Sequence, residues 1–308
     1  MNPAVEISGI SKSYDKVQAL NNISLSIEEG ELFGLIGPDG AGKTTLYRIL
    51  ATLLLPDDGH AHMMGLDIIK NYKKIRNIIG YMPGRFSLYQ DLSVQENLEL
   101  FASIFGTTIE ENYDLIKGIY SQLEPFRDRR AGKLSGGMKQ KLALSCALIH
   151  RPEVLLLDEP TTGVDPVSRK EFWNMLKILQ QKGLTILVST AYMDEATLCD
   201  KIALIQKGEM LSVDTPAQLI SAFDRQIFGV NSSNKYKALQ ALQELPSVRS
   251  AYYFGEQIHY IDQRKNLSID DLEKELSGRD IENLTVTTAE VTVEDCFIAQ
   301  MNPEIENE

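Results

Sequence analysis

A lysine and two threonines close a glycine-rich run, "GPDGAGKTT", at residues 37–45. The run fits G-x-x-x-x-G-K-[ST] with Gly37, Gly42, Lys43 and Thr44; Pro38, Asp39, Gly40, Ala41 and Thr45 complete it. Glycines let the backbone curl until successive N–H groups point inward, and a helix N-terminus adds a dipole that favours anions. In such a loop Lys43 supplies a point charge for the β- and γ-phosphates of a nucleotide, and the Thr44 hydroxyl supplies a ligand for Mg²⁺. A glycine-rich turn that binds nothing accounts for neither the lysine nor the strand and helix that flank it. A second stretch, "VLLLDEP" (154–160), carries four apolar residues and then two acids. Acids at the C-terminal end of a buried strand lie where open α/β sheets bind ligands. Asp158 is the expected Mg²⁺ ligand, directly or through water. Glu159 could polarise the water that attacks the γ-phosphate.

Both motifs need a sheet to hold them. "ELFGLIG" (31–37), "EVLLLDE" (153–159) and "LTILVST" (184–190) are continuous apolar runs of strand length. Such runs suit parallel strands covered on both faces. "KTTLYRILATLLL" (43–55) and "VSRKEFWNMLKILQQKG" (167–183) have helical length, and the second ends in a glycine stop. Strand–helix–strand alternation makes the main body α/β, a phosphate-loop fold over residues 1–224. After the last strand and helix, "GEMLSVDTPAQLISAF" (208–223), the pattern changes. Residues 225–300 read strand, helix, strand, strand, helix, strand, a small ferredoxin-like α+β unit. Residues 301–308 read as a disordered tail.

Composition excludes several classes. The chain has 308 residues, 43% hydrophobic and 24% charged, which is ordinary for a globular protein. Its longest apolar stretches, such as "ILATLLL", fall far below the roughly 20 residues of a membrane-spanning helix. The N-terminus "MNPAVEISGI" reads as a strand approach without the basic and apolar regions of a signal peptide, which points to the cytosol. A net charge of −12 argues against broad contact with a nucleic-acid backbone. Cys146, Cys199 and Cys296 lie far apart and read as buried thiols. "HAH" (60–62) has no cysteine or carboxylate cluster beside it, and a turn leading into a strand edge explains it better than a metal site.

A third motif narrows the class. "LSGGMKQ" (134–140) precedes "VLLLDEP", and it resembles the signature motif of ABC-type ATPases. The series runs in order: "SKSYDKVQAL" with Tyr14, "GPDGAGKTT", "LSGGMKQ", "VLLLDEP", "TTGVDP", "STAYMDEA". The resemblance covers residues 1 to about 223, and "YMPGRFSLY", "EPTTGVDPVSRKEFW" and the appended C-terminal unit bring it nearest to bacterial drug-resistance-type exporters. It implies two domains paired head to tail, each ATP held by one phosphate loop and the opposite signature motif. By position, Tyr14 would stack on adenine. Leu134, Ser135, Gly136, Gly137, Met138 and Gln140 would face the partner's ATP, and Gly163 and Asp165 would lie at the dimer seam. The resemblance also implies separate transmembrane permease subunits, and a place for this chain on the cytoplasmic side of the membrane. "SVQEN" (93–97) opens, with a capping pattern, the helix of the subdomain that contacts the permease in that family.

Two positions depart from the pattern. Glycine stands at 84, in "IGYMPGRFSLYQDLSV", where the family places a glutamine near Mg²⁺. Gln90 lies six residues further on and is not promoted to that role. Ala191 stands where the family's switch histidine would touch the γ-phosphate. A hydrogen bond to a charged group is worth roughly 1.5–3 kcal/mol, so each loss slows hydrolysis about ten- to a hundredfold. Binding residues are intact, and so is the signature motif. That asymmetry favours a heterodimer with a second, unlike ATPase subunit; the retained Glu159 leaves a slow homodimer as the other reading. Soluble ABC ATPases of translation or repair form an alternative class, disfavoured by the acidity and by the absence of a second ATPase domain or long coiled coil. A nucleotide-gated regulatory subunit with little turnover is the remaining one.

Overall fold

In the computed structural model, residues 3–279 and 281–301 are described. Contacts divide the chain into two compact units, Met1–Pro216 and Ala217–Glu308.

In the first unit, residues that alternate between core and solvent form an antiparallel pair, Val5–Tyr14 (β1) and Val17–Ile27 (β2). Asp58–Met63 (β4) and Leu66–Asp67 (β5) extend it to a four-stranded sheet of order β2-β1-β4-β5. His60 and His62 therefore lie within a strand, not in a turn leading to one. The continuous apolar runs become Leu32–Ile36 (β3), Val154–Asp158 (β7) and Thr185–Thr190 (β8), every residue of which is buried. With Ile79–Met82 (β6), Lys201–Gln206 (β9) and Glu209–Asp214 (β10) they form a six-stranded sheet of order β10-β9-β3-β8-β7-β6. All its pairs are parallel except the edge pair β9–β10. β8 thus lies between β3 and β7, the strands that end at the phosphate loop and at the two acids.

Lys43–Leu50 (α1) follows the phosphate loop, and its Leu46, Tyr47, Ile49 and Leu50 join a core shared by both sheets. The helix is shorter than the apolar pattern of 43–55 suggests. Thr52 takes a left-handed backbone (φ +60°), which turns Leu53 and Leu55 out to solvent. Tyr72–Ile78 (α2) leads into β6. Val94–Ile104 (α3) and Ile109–Tyr120 (α4) each start with a capping box, Ser93 with Glu96 and Thr108 with Glu111. They pack on Gly136–Leu148 (α5), which also meets β6. Pro166–Gln181 (α6) begins at the Asp165 cap and covers β8. Cys146 and Cys199 are buried free thiols, raised by burial well above an ordinary thiol pKa.

Pro216–Ser221 (α7) spans the division between the units, eight residues ahead of the boundary read at 224/225. The Cys296 thiol reaches the Leu219 carbonyl at 3.5 Å, which ties this helix to the second unit. Ile227–Asn231 (β11), Lys235–Gln243 (α8), Val248–Phe254 (β12), Gln257–Asp262 (β13), Ile269–Leu276 (α9) and Thr285–Ala289 (β14) follow. The strands form an antiparallel sheet of order β12-β13-β11-β14, that of a ferredoxin-like unit. A further helix, Val293–Met301 (α10), comes after the last expected strand. Its Asp295 is fully buried and accepts from His259 Nδ1 at 2.7 Å, from Thr292 and from Tyr252. Met301, read as the start of a tail, ends that helix; positions 302–308 lie outside the described residues.

Candidate functional site: a phosphate loop beside paired acids

Two glycines let the loop 37–42 close on itself. A Cβ on Gly37 would stand 2.2 Å from the Ile205 carbonyl oxygen. Gly42 has φ +107°, and its Cβ would fall 2.4 Å from the Ala19 carbonyl oxygen. The loop is thus pressed against β9 and β2, and no larger residue fits at either point. Gly40 also has positive φ, Ala41 is buried, and Pro38 accepts a bond from Ala41 N at 3.2 Å. Asp39 is exposed. Thr45 follows Thr44 in the first turn of α1.

Lys43 is 3% exposed. Its ammonium donates to the Gly37 and Pro38 carbonyls at 2.8 and 2.9 Å and lies 3.1 Å from Glu159 Oε1. The loop therefore encircles its own lysine, and the general-base candidate closes the ring. Thr44 Oγ1 donates to Asp158 Oδ1 at 3.2 Å, which brings together the two groups read as the Mg²⁺ set. A hydroxyl and a carboxylate in contact are hard oxygen donors of the type Mg²⁺ takes, and they fit it.

β8 holds the acids in place. Asp158 pairs in register with Ser189, whose hydroxyl donates to Asp158 Oδ1 at 2.7 Å. Glu159 N donates to Ser189 O and Oγ, both at 3.0 Å. Gly37 N donates to the Thr190 carbonyl at 3.2 Å. Ser189 and Thr190 thus tie the two motifs together, a role that motif reading missed. Its only signal was two hydroxyl residues, "ST", just before Ala191. Glu159 itself sits in a left-handed conformation, φ +49°, a strained state for a side chain that is not glycine. Burial pushes the nearby Tyr81 phenol up to about 12, and the Asp158 charge adds to the shift.

Gly84 and Ala191 both border this site. A Cβ on Gly84 would lie 3.1 Å from Asp158 O and 3.7 Å from its Oδ2. Ala191 directly follows Thr190 at the end of β8. Gln90 is tied elsewhere: its carbonyl accepts from Gly132 N at 2.9 Å, in the turn ahead of the signature motif.

The remaining candidates fall into two places. Tyr14 is exposed in the β1–β2 hairpin, whose second strand meets the phosphate loop at Ala19. Ser135 caps α5 by accepting from Met138 N at 3.3 Å; Leu134 before it is buried. A Cβ on Gly137 would stand 2.7 Å from Ser168 Oγ, and one on Gly136 3.7 Å from the Gly163 carbonyl. The signature motif and the loop that ends at Asp165 are therefore neighbours on one surface. Bonds from Ser168 hold the Asp165 carboxyl below the usual carboxylate range. Gln140 lines a cavity of about 40 Å³ with Tyr81, Arg85 and Phe101.

A parallel sheet that sets a Gly-rich lysine loop beside an Asp–Glu pair defines a P-loop nucleotide-binding protein. A family model described as "ABC transporter" matches residues 20–162. The chain is 41% identical over 305 residues to the probable multidrug ABC transporter ATP-binding protein YbhF of Escherichia coli (strain K12), covering 97% of this chain and 52% of that one. It is 38% identical over 220 residues to the Nod factor export ATP-binding protein I of Rhizobium sp. (strain N33), 70% of this chain and 72% of that one. Among solved structures, it resembles the ATP-binding cassette MJ0796, a dimer in a post-hydrolysis state with ADP and Pi. The TM-score there is 0.62 at 27% identity, over 68% of this chain and 98% of that one. It also resembles cbiO1 from Clostridium perfringens, part of the ABC transporter complex cbiONQ. That TM-score is 0.64 at 25% identity, over 72% and 92% of the two chains. The chain belongs to the ABC transporter ATP-binding family. It spans about half the length of the YbhF relatives, which it matches over nearly its whole extent. Among the described residues, no helix is long and apolar enough to cross a membrane.

Proposed function

We propose that this chain binds and hydrolyses ATP to drive a membrane transporter of exporter type, through separate permease subunits on the cytoplasmic face. One observation carries the reading: Lys43, Thr44, Asp158 and Glu159 converge through direct contacts on the mouth of one phosphate loop. The export named in the description of the Nod factor relative supports the direction of transport.

On nucleotide entry the β- and γ-phosphates replace Glu159 and the loop carbonyls as partners of Lys43 Nζ. Thr44 Oγ1 and Asp158 are the residues that would hold Mg²⁺, which would supply positive charge beside the phosphate oxygens. Glu159 polarises a water whose oxygen attacks the γ-phosphorus. The bond to the bridging oxygen breaks, ADP leaves, and the carboxylate takes up a water proton. Tyr14 stacks on the adenine. Ser135, Gly136 and Gly137, with Leu134, Met138 and Gln140 around them, serve the ATP on an opposing subunit, across a seam formed by Gly163 and Asp165.

Gly84 and Ala191 leave this chain's own site without two polar side chains at its border. Its "LSGGMKQ" surface is intact. We infer pairing with a second, unlike ATPase subunit whose site this chain completes. Purification with the permease from membranes, followed by ATPase assay with Lys43→Ala in each ATPase chain separately, tests both parts. Loss of nucleotide binding in Lys43→Ala supports the phosphate site; unchanged binding removes it. Brisk Mg²⁺-dependent hydrolysis by this chain alone, abolished in Glu159→Gln, would replace the heterodimer with a homodimer. Recovery with ribosomes or DNA in place of membranes would sink the transporter reading.

A further inference from the structure

Glu195 falls within "STAYMDEA" but has no part in the site described so far, yet its carboxylate is 2% exposed. A buried carboxylate is costly unless fully bonded, and an apolar residue often serves stability as well. Glu195 is fully bonded. Its Oε1 accepts from Thr161 Oγ1 at 2.8 Å and Arg169 Nε at 3.2 Å, and its Oε2 accepts from Thr190 Oγ1 at 2.7 Å. Thr190 Oγ1 also accepts from Tyr192 N at 3.0 Å, so the residues on both sides of Ala191 are pinned. Arg169, near the start of α6, adds a bond to Asp194 at 3.2 Å and places its guanidinium 4.0 Å from the centre of the Tyr192 ring.

These bonds bracket Glu159. Thr161 is two residues after it, and Thr190 follows Ser189, which receives the Glu159 N–H. The left-handed backbone at Glu159 persists only where its surroundings over-determine it. Ser189 fixes one side; the other side is the loop whose Thr161 is bonded to Glu195. We propose that Glu195 and Arg169 are positioning residues for the reaction. They clamp the loop Thr161–Asp165 to the strand end at Thr190, which holds the Glu159 carboxylate where it must meet water. The clamp also makes one body of the seam loop and the wall of the phosphate site. A shift at Asp165 therefore reaches Glu159. Arg is suited to this role because its planar fork serves two acids and one ring at once, which a lysine ammonium does not.

The inference rests on the reading of Glu159 as the group that polarises water. It is tested in the full chain with its permease, the partner ATPase's own phosphate loop disabled, by measuring kcat and KM for ATP, the Kd of a fluorescent ATP analogue, and Tm. The variants are Arg169→Lys, Arg169→Met, Glu195→Gln and each of these in Glu159→Gln. The clamp predicts a fall in kcat of tenfold or more in Arg169→Met and Glu195→Gln, with KM and Kd within twofold and partial rescue by Arg169→Lys. In the Glu159→Gln background the same changes add no further loss, because they act through Glu159. Glu195→Gln keeps the side-chain volume and decides the matter if Arg169→Met fails to fold. Unchanged kcat, or a loss of Kd and Tm in step with kcat, overturns the clamp. So does a loss that multiplies that of Glu159→Gln. A wild type that binds but does not turn over ATP removes the underlying reading; an active wild type silenced by Glu159→Gln, with inert clamp variants, removes the clamp alone.

Discussion

Lys43 Nζ stands 3.1 Å from Glu159 Oε1, so the cation that would bind phosphate is paired with the carboxylate that would activate water. Nucleotide and Glu159 compete for one ammonium. Glu159→Gln is therefore expected to do two things at once. Hydrolysis at this chain's own site falls about a hundredfold or more, the contribution of a general base. Nucleotide affinity rises about two- to fivefold, the scale of an ion pair worth up to about 1 kcal/mol. Steady-state kinetics and a fluorescence titration with ADP and ATP check the two arms; weaker binding in the variant would contradict the competition.

Gly84 and Ala191 make gain of activity testable. Ala191→His is expected to raise kcat about tenfold at this chain's own site by returning a charge-assisted hydrogen bond. Gly84→Gln should give a smaller gain. Its Cβ would approach the Asp158 carbonyl to 3.1 Å, and part of the benefit is lost in moving that strand end aside. Single-turnover rates with the partner's site disabled isolate the effect. No gain in either variant would show that chemistry at this site does not wait on the missing groups.

Asn97 is fully buried and fastens the segment between Gly84 and α3. It donates to the carbonyls of Tyr89 and Ser93 at 3.0 and 2.9 Å and accepts from Tyr89 N at 3.0 Å. Asn97→Leu leaves the Tyr89 N–H without its partner and removes the two bonds to carbonyls that keep only their backbone donors, Leu92 N and residue 97 N, and should cost roughly 1–3 kcal/mol. Denaturant unfolding followed by far-UV dichroism measures it; a midpoint unchanged from wild type would refute it.

His150 sets a pH dependence. Its ring stacks on Phe105 at 3.7 Å, and its Nε2 lies 2.9 Å from the Ile79 carbonyl. Burial lowers its pKa below the ordinary 6.5, against the smaller opposing effect of that carbonyl. The unfolded chain then binds a proton more readily than the folded one, so the His150 contribution is present above about pH 6.5 and is lost as pH falls through the folded value. Thermal unfolding of the wild type between about pH 7 and pH 5 should show this loss, and His150→Gln should show a flatter profile. Parallel profiles would exclude His150 as the source.

Much of the site was legible because its chemistry is local. Phosphate binding needs glycines, a lysine and a threonine at fixed spacing on one turn, so Gly37 to Thr45 announce themselves in a linear string. Asp158 and Glu159 are equally plain after four buried residues. α6 and the capped start of α3 were legible for the same reason: period and cap are properties of a few neighbours. The end of α1 was not, because a left-handed Thr52 overrides an apolar pattern that continues to Leu55. α10 was missed because it is held by Asp295 against His259, 36 residues away in the chain.

By itself, then, the sequence determined the P-loop chemistry, the order of the motifs and the two positions where side chains are missing. Tertiary structure decided which strand stands between the motifs. β8 carries Ser189 and Thr190 to both of them, and only hydrogen bonds across the sheet give that pair a role. It also decided that Glu195 and Arg169 meet Thr161, and that Gly84, not Gln90, borders Asp158. The physical reason is common to all of these. A hydrogen bond has a reach of about 3 Å and no memory of chain distance, so its partners are fixed by the order of strands and not by spacing in the string.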